Sequence, residues 1–203
     1  MRTSRLDLVR PLGWHLLNGI FAVNRRKFLT LGAAAPALFG GASSVWALGD
    51  FWSQPRTLWM QRKTGSGVEE LRETYFADGQ IIASGYVNAC RILRDVRAGQ
   101  AVQMSPVLLD VLCGIQGFLA AHGHVIPLVT TSGYRSPATN AATEGAARNS
   151  MHVQGRAWDG RMPGVTPEML ARIALYLQGG GVGLYQGKNF LHVDDGRLRF
   201  WRG

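Results

Sequence analysis

Two short segments of strand-forming residues begin the main body of the chain. Residues 57–62 predict a strand, and residues 68–76 have the same character. Between them lies Thr64-Gly65-Ser66-Gly67, a run of the residue types that form tight turns. Because two such segments joined by a glycine-containing turn form a hairpin, the pattern predicts two paired strands here.

Three later segments have the spacing of hydrophobic residues that is typical of amphipathic helices. The first covers residues 86–96. The second follows Ser105 and ends near residue 123, and the third follows Thr166 and ends near residue 178. Ser105 and Thr166 are each followed by proline, which is the usual pattern of an N-cap and a first helical position. The sequence therefore predicts three helices with well-defined starts for the second and third.

The second half of the chain also contains segments with strand character. We predict strands within residues 125–131 and 154–162, and a final hairpin formed by residues 182–185 and 189–194. Helices and strands are thus interspersed. This order predicts one α+β domain over residues 57–203, with a small antiparallel sheet and flanking helices.

The N-terminal segment has the features of an export signal. Arg25 and Arg26 precede an Ala- and Gly-rich apolar run over residues 31–47, which ends in small residues near Ala47. Paired arginines before such a run are typical of the twin-arginine export route. The run is long enough to approach the thickness of a bilayer, but its glycines and Pro36 make it a poor permanent anchor.

We therefore predict a twin-arginine signal peptide over residues 1–47 and a linker over residues 48–56, and hence a periplasmic protein. An uncleaved membrane anchor and an ordinary buried helix are the alternatives. Val23 is a candidate start, because the stretch before the arginines is longer than a signal needs.

The positive charge of the chain is concentrated in that leader. Six basic residues and one acidic residue lie in residues 1–47, so +5 of the formal net charge of +9 belongs to them. No basic stripe with interleaved aromatic residues is present, which argues against nucleic-acid binding. A mildly basic body suits a polyanionic partner such as the cell envelope.

Two cysteines, Cys90 and Cys113, fall in segments predicted as helices. Two buried apolar thiols are the favoured interpretation, and a disulfide in an oxidising compartment is the alternative.

The candidate metal ligands are His152, Asp159 and His192. Two imidazoles and a carboxylate, with a fourth position open to water, form the ligand set of a catalytic zinc ion. Gly155 allows the backbone to turn between the first two. On spacing alone the metal site remains one interpretation beside another, in which the histidines are structural.

Three motifs occur in a fixed order along the chain. They are Ser132-Gly-Tyr-Arg-Ser136, His152-x-x-Gly-x-Ala-x-Asp159 and Phe190-x-His-x-Asp194. Together they resemble the zinc D-alanyl-D-alanine peptidases of the LAS metallopeptidase superfamily, and most closely the MepK (YcbK-like) murein endopeptidases. The resemblance covers residues 57–201 and implies the fold that these peptidases share with the Hedgehog signalling domain.

The resemblance implies an activity as well as a fold. It implies Zn²⁺ bound by His152, Asp159 and His192, and hydrolysis of peptidoglycan stem-peptide cross-links by metal-activated water. Arg135 corresponds to the family arginine that meets the substrate or the developing oxyanion; a loop arginine bonded to a backbone carbonyl is the alternative. A D-alanyl-D-alanine carboxypeptidase and a non-catalytic domain that binds zinc or wall peptides are the alternative functions.

The general base is the point at which the chain departs from the wider superfamily. Asn189 and Phe190 stand where many relatives place an acid or a histidine. Asp194 is the nearest carboxylate, and strand periodicity puts it on the same face as His192, beside the metal site. It is either the base or, as we favour, a partner that orients His192. We interpret His122 and His124 as structural. The C-terminal residues form a solvated basic tail in the favoured interpretation, with contact to an anionic glycan as the alternative; they are Arg197, Arg199, Trp201 and Arg202.

Overall fold

Eight strands form one mixed sheet in the computed structural model, which describes residues 54–203. The strands are β1 (Arg56–Thr64), β2 (Gly67–Ala77), β3 (Gln80–Ile81), β4 (Leu128–Ser132), β5 (Ala157–Arg161), β6 (Gly181–Tyr185), β7 (Phe190–Asp194) and β8 (Arg199–Arg202). Their order across the sheet is β3-β2-β1-β4-β5-β7-β6-β8. Strands β5 and β7, which carry two candidate ligands, are therefore adjacent and interior.

Four helices accompany the sheet within the described residues. They are α1 (Ala83–Ile92), α2 (Pro106–Ala121), α3 (Pro137–Ala141) and α4 (Pro167–Leu177). Helix α1 packs against β1 and β2, α2 packs against β1 and α4, and α4 packs against β6 and β7. The predicted α+β class is confirmed.

The sheet is larger than the predicted small antiparallel sheet. The predicted hairpins are confirmed: β1 pairs with β2, and β6 pairs with β7, both antiparallel. Two further pairings, β1 with β4 and β6 with β8, are parallel. These pairings join segments that are distant along the chain or separated by another strand, so the local hydrophobic pattern does not reveal them.

The capped helix starts are confirmed. Ser105 Oγ accepts a hydrogen bond from the backbone N–H of Leu108, and Thr166 Oγ1 accepts one from Met169. Each hydroxyl satisfies a backbone donor that the first turn leaves without a partner in the helix. The sequence predicts both helix starts correctly because each cap is formed between residues that are close neighbours along the chain.

The predicted bounds of the first helix, residues 86–96, are wrong. Helix α1 begins at Ala83 and ends at Ile92. Beyond its end, the Asp95 carboxylate accepts hydrogen bonds from the backbone N–H groups of Arg97, Ala98 and Ser136. These bonds fold the chain into a turn, and this tertiary arrangement overrides the helical spacing of the side chains.

Both cysteines are buried free thiols, as the favoured interpretation states. Cys113 lies on α2, and burial raises its thiol pKa to about 12. A thiol with such a pKa remains protonated and unreactive near neutral pH.

The predicted signal peptide (residues 1–47), the candidate start at Val23 and most of the predicted linker lie outside the described residues. Within residues 54–203, no helix is both long enough and apolar enough to cross a membrane.

Candidate metal centre

Asp159 and His192 face each other across neighbouring strands. They are register partners in the antiparallel pairing of β5 with β7. Residues directly opposite in such a pair project from the same face of the sheet, and Asp159 Oδ1 lies 2.7 Å from His192 Nδ1. The pairing thus brings together two candidate ligands that are 33 positions apart in sequence.

His152 reaches the same point from a short 3₁₀ turn, Met151–Gln154. Ser150 Oγ accepts a hydrogen bond from the His152 backbone N–H, and Gly155 ends the turn in the left-handed conformation, with φ 68°. Glycine adopts this conformation without steric cost. His152 Nε2 consequently lies 3.1 Å from Asp159 Oδ1 and 3.2 Å from His192 Nδ1.

The contacts of the outward-facing imidazole nitrogens bear on whether the inward-facing nitrogens are free to bind a cation. His152 Nδ1 lies 2.6 Å from the Gly133 carbonyl oxygen, and His192 Nε2 lies 3.0 Å from Asp194 Oδ2. Both oxygens can accept a hydrogen bond, so a neutral ring can carry its proton on the outer nitrogen. In that tautomer His152 Nε2, His192 Nδ1 and Asp159 Oδ1 present lone pairs to one another, which a cation between them would satisfy.

The electrostatics of the centre favour positive charge in the same place. Burial disfavours the charged form of Asp159, but hydrogen bonds from His152 and His192 outweigh it and hold the pKa of this carboxyl well below its usual range. Burial likewise opposes charge on His192, yet its bonds to Asp159 and Asp194 raise its pKa. The cluster therefore pairs an ionised carboxylate with an imidazole that readily holds a proton, and a bound ion would replace that proton.

Arg135 contacts the second oxygen of Asp159. Its Nη2 donates to Asp159 Oδ2, and its Nε donates to Ser132 Oγ at 2.9 Å. Ser132 is at the end of β4, and Arg135 follows three residues later in the loop before α3. The alternative of a loop arginine bonded to a backbone carbonyl is not what the structure shows, because the side chain bonds a carboxylate and a hydroxyl.

Asp194 lies on the far side of the His192 ring. His192 Nδ1 faces Asp159 and Nε2 faces Asp194, so the ring separates Asp194 from the point where the three donor atoms meet. The prediction that Asp194 lies beside the metal site is therefore wrong, because the imidazole itself fills the space between them. The side chain of Asp194 has no exposed surface, so it has no access to a water molecule in the site.

The predicted solvated basic tail is wrong for two of its members. Arg199 and Trp201 lie in β8, which pairs in parallel with β6. Arg199 forms an ion pair with Asp194, and the Trp201 ring centroid is 5.2 Å from that of His192. The parallel pairing with a distant strand brings these residues against the centre.

A cluster of three aromatic rings meets His192 through one of them, Trp201. Tyr185 and Phe190 are stacked with centroids 4.5 Å apart, and Trp201 Nε1 donates to the Tyr185 hydroxyl at 3.1 Å. All three side chains are half-buried, and together they form a partly exposed wall at this end of the sheet.

Zinc fits the donor set. A tetrahedral ion with ligands at about 2.0–2.1 Å holds its donor atoms roughly 3.4 Å apart. The three inward atoms of His152, Asp159 and His192 lie between 2.7 and 3.2 Å from one another. Displacements of a few tenths of an ångström would open the site to the ion.

Comparison with known proteins assigns the family. The M15 peptidase model described as "Peptidoglycan L,D-endopeptidase MepK" matches residues 52–201. The chain belongs to this family. M15 peptidases are metal-dependent, and the cluster of His152, Asp159 and His192 provides a possible site for the ion. The motif-based assignment to the MepK peptidases is confirmed.

Individual members of the MepK family cover almost the same span. "Peptidoglycan L,D-endopeptidase MepK" of Escherichia coli K12 is 32% identical over 185 residues, which is 89% of this chain and 98% of the relative. "Probable peptidoglycan L,D-endopeptidase MepK" of Haemophilus influenzae is 35% identical over 184 residues, which is 89% of this chain and 96% of the relative. No solved structure matches the chain.

Arg199 is part of the centre although it lies outside the three sequence motifs. The available signal was the buried carboxylate of Asp194, since an ionised side chain on the inner face of a strand needs a cationic partner. His122 behaves as predicted for a structural residue, because its Nδ1 lies 2.7 Å from the Phe118 carbonyl oxygen at the end of α2.

Proposed function

We propose that the chain is a zinc-dependent peptidoglycan endopeptidase that hydrolyses L,D peptide bonds in the cross-links between stem peptides. The observation that carries the proposal is the convergence of one ligand atom each from His152, Asp159 and His192, all three within hydrogen-bonding distance of one another. The names of the relatives support the substrate class and the type of bond.

The three side chains would hold the ion and leave a coordination position for water. When bound, zinc supplies an activated water molecule and polarises the carbonyl of the scissile bond. His152 and His192 would bind through Nε2 and Nδ1, because Gly133 and Asp194 occupy their other nitrogens. Asp159 would bind through Oδ1, because Arg135 holds its Oδ2.

Arg135 has two roles in this proposal. It fixes the orientation of Asp159 through Nη2. Among the described residues its Nη1 has no hydrogen-bond partner, so two N–H groups remain for an oxygen of the substrate. A guanidinium held in place near the attacked carbonyl stabilises the negative charge that develops there in the transition state.

The environment of Asp194 favours a role in orienting the His192 ring over that of a general base. Burial opposes its charge, but hydrogen bonds from His192, Arg199 and the backbone N–H of Gly196 outweigh it and hold its pKa below the usual range. A buried carboxylate that prefers to stay ionised is a poor proton acceptor. It is well suited to keeping the His192 ring in one orientation.

The proposed place of action is the periplasm, where the peptidoglycan lies. The paired arginines and apolar run of residues 1–47 support export by the twin-arginine route. The stem peptides of the wall are the proposed partners, and the membrane is involved only through the export signal.

Digestion of purified muropeptides tests the function. Zinc-loaded protein should cleave muropeptides cross-linked through an L,D bond, with the two fragments identified by mass spectrometry. His192→Ala should bind no zinc and cleave nothing, whereas the matched control His124→Ala, at an exposed position, should match wild type. Intact substrate with zinc bound would favour the binding domain, and release of terminal alanine alone would favour the carboxypeptidase.

A further inference from the structure

We propose that Arg199 is a positioning residue of the metal centre: it locks the Asp194 carboxylate, which in turn fixes the His192 ring with Nδ1 directed to the ion. The inference rests on the proposed function in one respect, namely that His192 is a metal ligand. It adds a residue outside the three motifs and gives the C-terminal strand a role in the centre.

The contacts between Arg199 and Asp194 are bidentate. Arg199 Nη1 lies 3.0 Å from Asp194 Oδ1, and Nη2 lies 2.5 Å from Oδ2. A guanidinium and a carboxylate joined through two parallel hydrogen bonds have a fixed relative orientation. Lysine, with a single charged nitrogen, cannot reproduce that geometry.

The Asp194 carboxylate also accepts hydrogen bonds from groups other than Arg199. Oδ1 accepts from the backbone N–H groups of Gly181 and Gly196, at 3.2 and 2.9 Å. Oδ2, besides Arg199, accepts from His192 Nε2 at 3.0 Å. The carboxylate therefore has one position, in which the oxygen nearest the imidazole is held by the arginine.

The sheet makes room for this guanidinium at Gly181. In the parallel pairing of β6 with β8, Gly181 is the register partner of Arg199. A Cβ atom at Gly181 would lie 2.6 Å from Arg199 Cζ and 2.7 Å from Asp194 Oδ2. Any side chain there would displace the ion pair, so the glycine permits Arg199 to approach Asp194 along the strand.

The aromatic wall supports the other side of the guanidinium. Arg199 Cζ lies 4.9 Å from the centroid of the Trp201 ring, a distance at which a cation is attracted to an indole face. The same indole ring lies against His192. Arg199 is thus held between Asp194 and Trp201, both of which contact the candidate ligand.

Each of the two buried carboxylates of the centre is paired with its own arginine. Arg135 contacts the Asp159 oxygen that faces away from the histidines, whereas Arg199 contacts both oxygens of Asp194, including the one that faces His192. The two arginines balance the two buried negative charges before any ion is bound. Each of the two carboxylates, the candidate ligand Asp159 and the outer partner Asp194, is therefore oriented by a fixed cation.

Zinc affinity, measured by competition with a chromogenic chelator, tests the proposal. Outer partners of metal ligands typically contribute 10–100-fold in affinity, so Arg199→Met should weaken binding about tenfold. Arg199→Lys should recover only part of the loss. The control Arg202→Met removes an exposed arginine of the same strand and should leave the affinity unchanged.

A double-mutant cycle distinguishes positioning from general destabilisation. If Arg199 acts only through Asp194, Arg199→Met should change zinc affinity by less than about twofold in the Asp194→Asn background. The absorption spectrum of the Co²⁺-loaded protein should change in Arg199→Met and in Asp194→Asn alike, and not in Arg202→Met. Additive losses of affinity, or an unchanged spectrum in Arg199→Met, would overturn the proposal.

Gly181→Ala provides a second test if Arg199→Met fails to fold. It keeps every charged residue but pushes the guanidinium from Asp194, so it should also weaken zinc binding. Wild-type affinity in Gly181→Ala and Arg199→Lys would overturn the positioning role, as would tighter binding in Arg199→Met, which would mean that the arginine chiefly repels the ion. Wild-type protein that binds no zinc would instead contradict the proposed function.

Discussion

Asp159 Oδ1 and His192 Nδ1 lie 2.7 Å apart because their residues are register partners on adjacent strands. A strand pairing is rigid, since each backbone is held by hydrogen bonds on both sides in the interior of the sheet. Two of the three proposed ligands are therefore placed by the sheet itself, and only His152 depends on a turn.

Replacing Asp159 should weaken zinc binding strongly. Zinc sites of four ligands bind with about 10–16 kcal/mol, so one ligand accounts for roughly 3 kcal/mol or about a hundredfold in affinity. Asp159→Ala should lose at least that much by calorimetric titration with zinc. The substitution would also remove the carboxylate to which Arg135 donates. Glu144→Ala, at an exposed loop position, serves as the control, and zinc affinity in Asp159→Ala equal to that of Glu144→Ala would rule out the carboxylate as a ligand.

Replacing Arg135 should affect the chemical step more than substrate binding. Loss of one donor that stabilises developing negative charge typically costs 10²–10³-fold in turnover, so Arg135→Ala should lower kcat in that range with KM changed little. Steady-state cleavage of a muropeptide checks this. Arg172→Ala, on the exposed face of α4, should match wild type, and a rise in KM at constant kcat would instead assign Arg135 to substrate binding.

The stability of the metal-free protein should depend on pH in a defined direction. The pKa values of Asp159 and Asp194 are lowered in the folded chain, so their contribution is present above the unfolded value of about 4 and is lost as pH falls further. The pKa of His192 is raised, so its contribution is complete below about 6.5 and is lost as pH rises through the folded value.

The centre should therefore stabilise the metal-free fold most between about pH 4 and 6.5. Thermal unfolding in the presence of a chelator, followed across pH 3–9, measures this. Zinc-loaded protein should keep its stability above that window, because the ion takes the place of the proton. Metal-free protein whose Tm rises steadily from pH 6 to 9 would be inconsistent with the charges assigned to the centre.

Replacing Asp95 should destabilise the loop that carries Arg135. Its carboxylate accepts three backbone hydrogen bonds, one of them from Ser136. Leaving buried donors without partners costs about 1–3 kcal/mol, so Asp95→Ala should lower the free energy of unfolding by roughly that amount in urea. Asp78→Ala removes a carboxylate from an exposed turn, although its positive φ adds a small cost of its own. Equal effects of the two substitutions would show that the Asp95 bonds contribute little.

The sequence allowed the local features of the fold to be predicted, and the motifs identified the proposed ligands. Ser105-Pro106 and Thr166-Pro167 place their helices correctly because an N-cap is made by neighbours in sequence. The end of α1 could not be predicted, because one of the hydrogen bonds that hold Asp95 in the following turn comes from Ser136, 41 positions away.

The outer partners of the centre were equally inaccessible to local patterns. Arg199 resembles any basic residue near a C-terminus until the parallel pairing of β6 with β8 is known. The position of Asp194 relative to the donor atoms cannot be predicted for a related reason: strand periodicity gives the face of the sheet on which a side chain lies, but not which nitrogen of His192 it contacts.

X-ray absorption at the zinc edge of the loaded protein tests the ligand set most directly. We expect nitrogen and oxygen scatterers at about 2.0–2.1 Å, with the multiple-scattering signal of two imidazoles in wild type and of one in any zinc that His192→Ala retains. A sulfur shell near 2.3 Å, or a wild-type signal that is unchanged in His192→Ala, would contradict it.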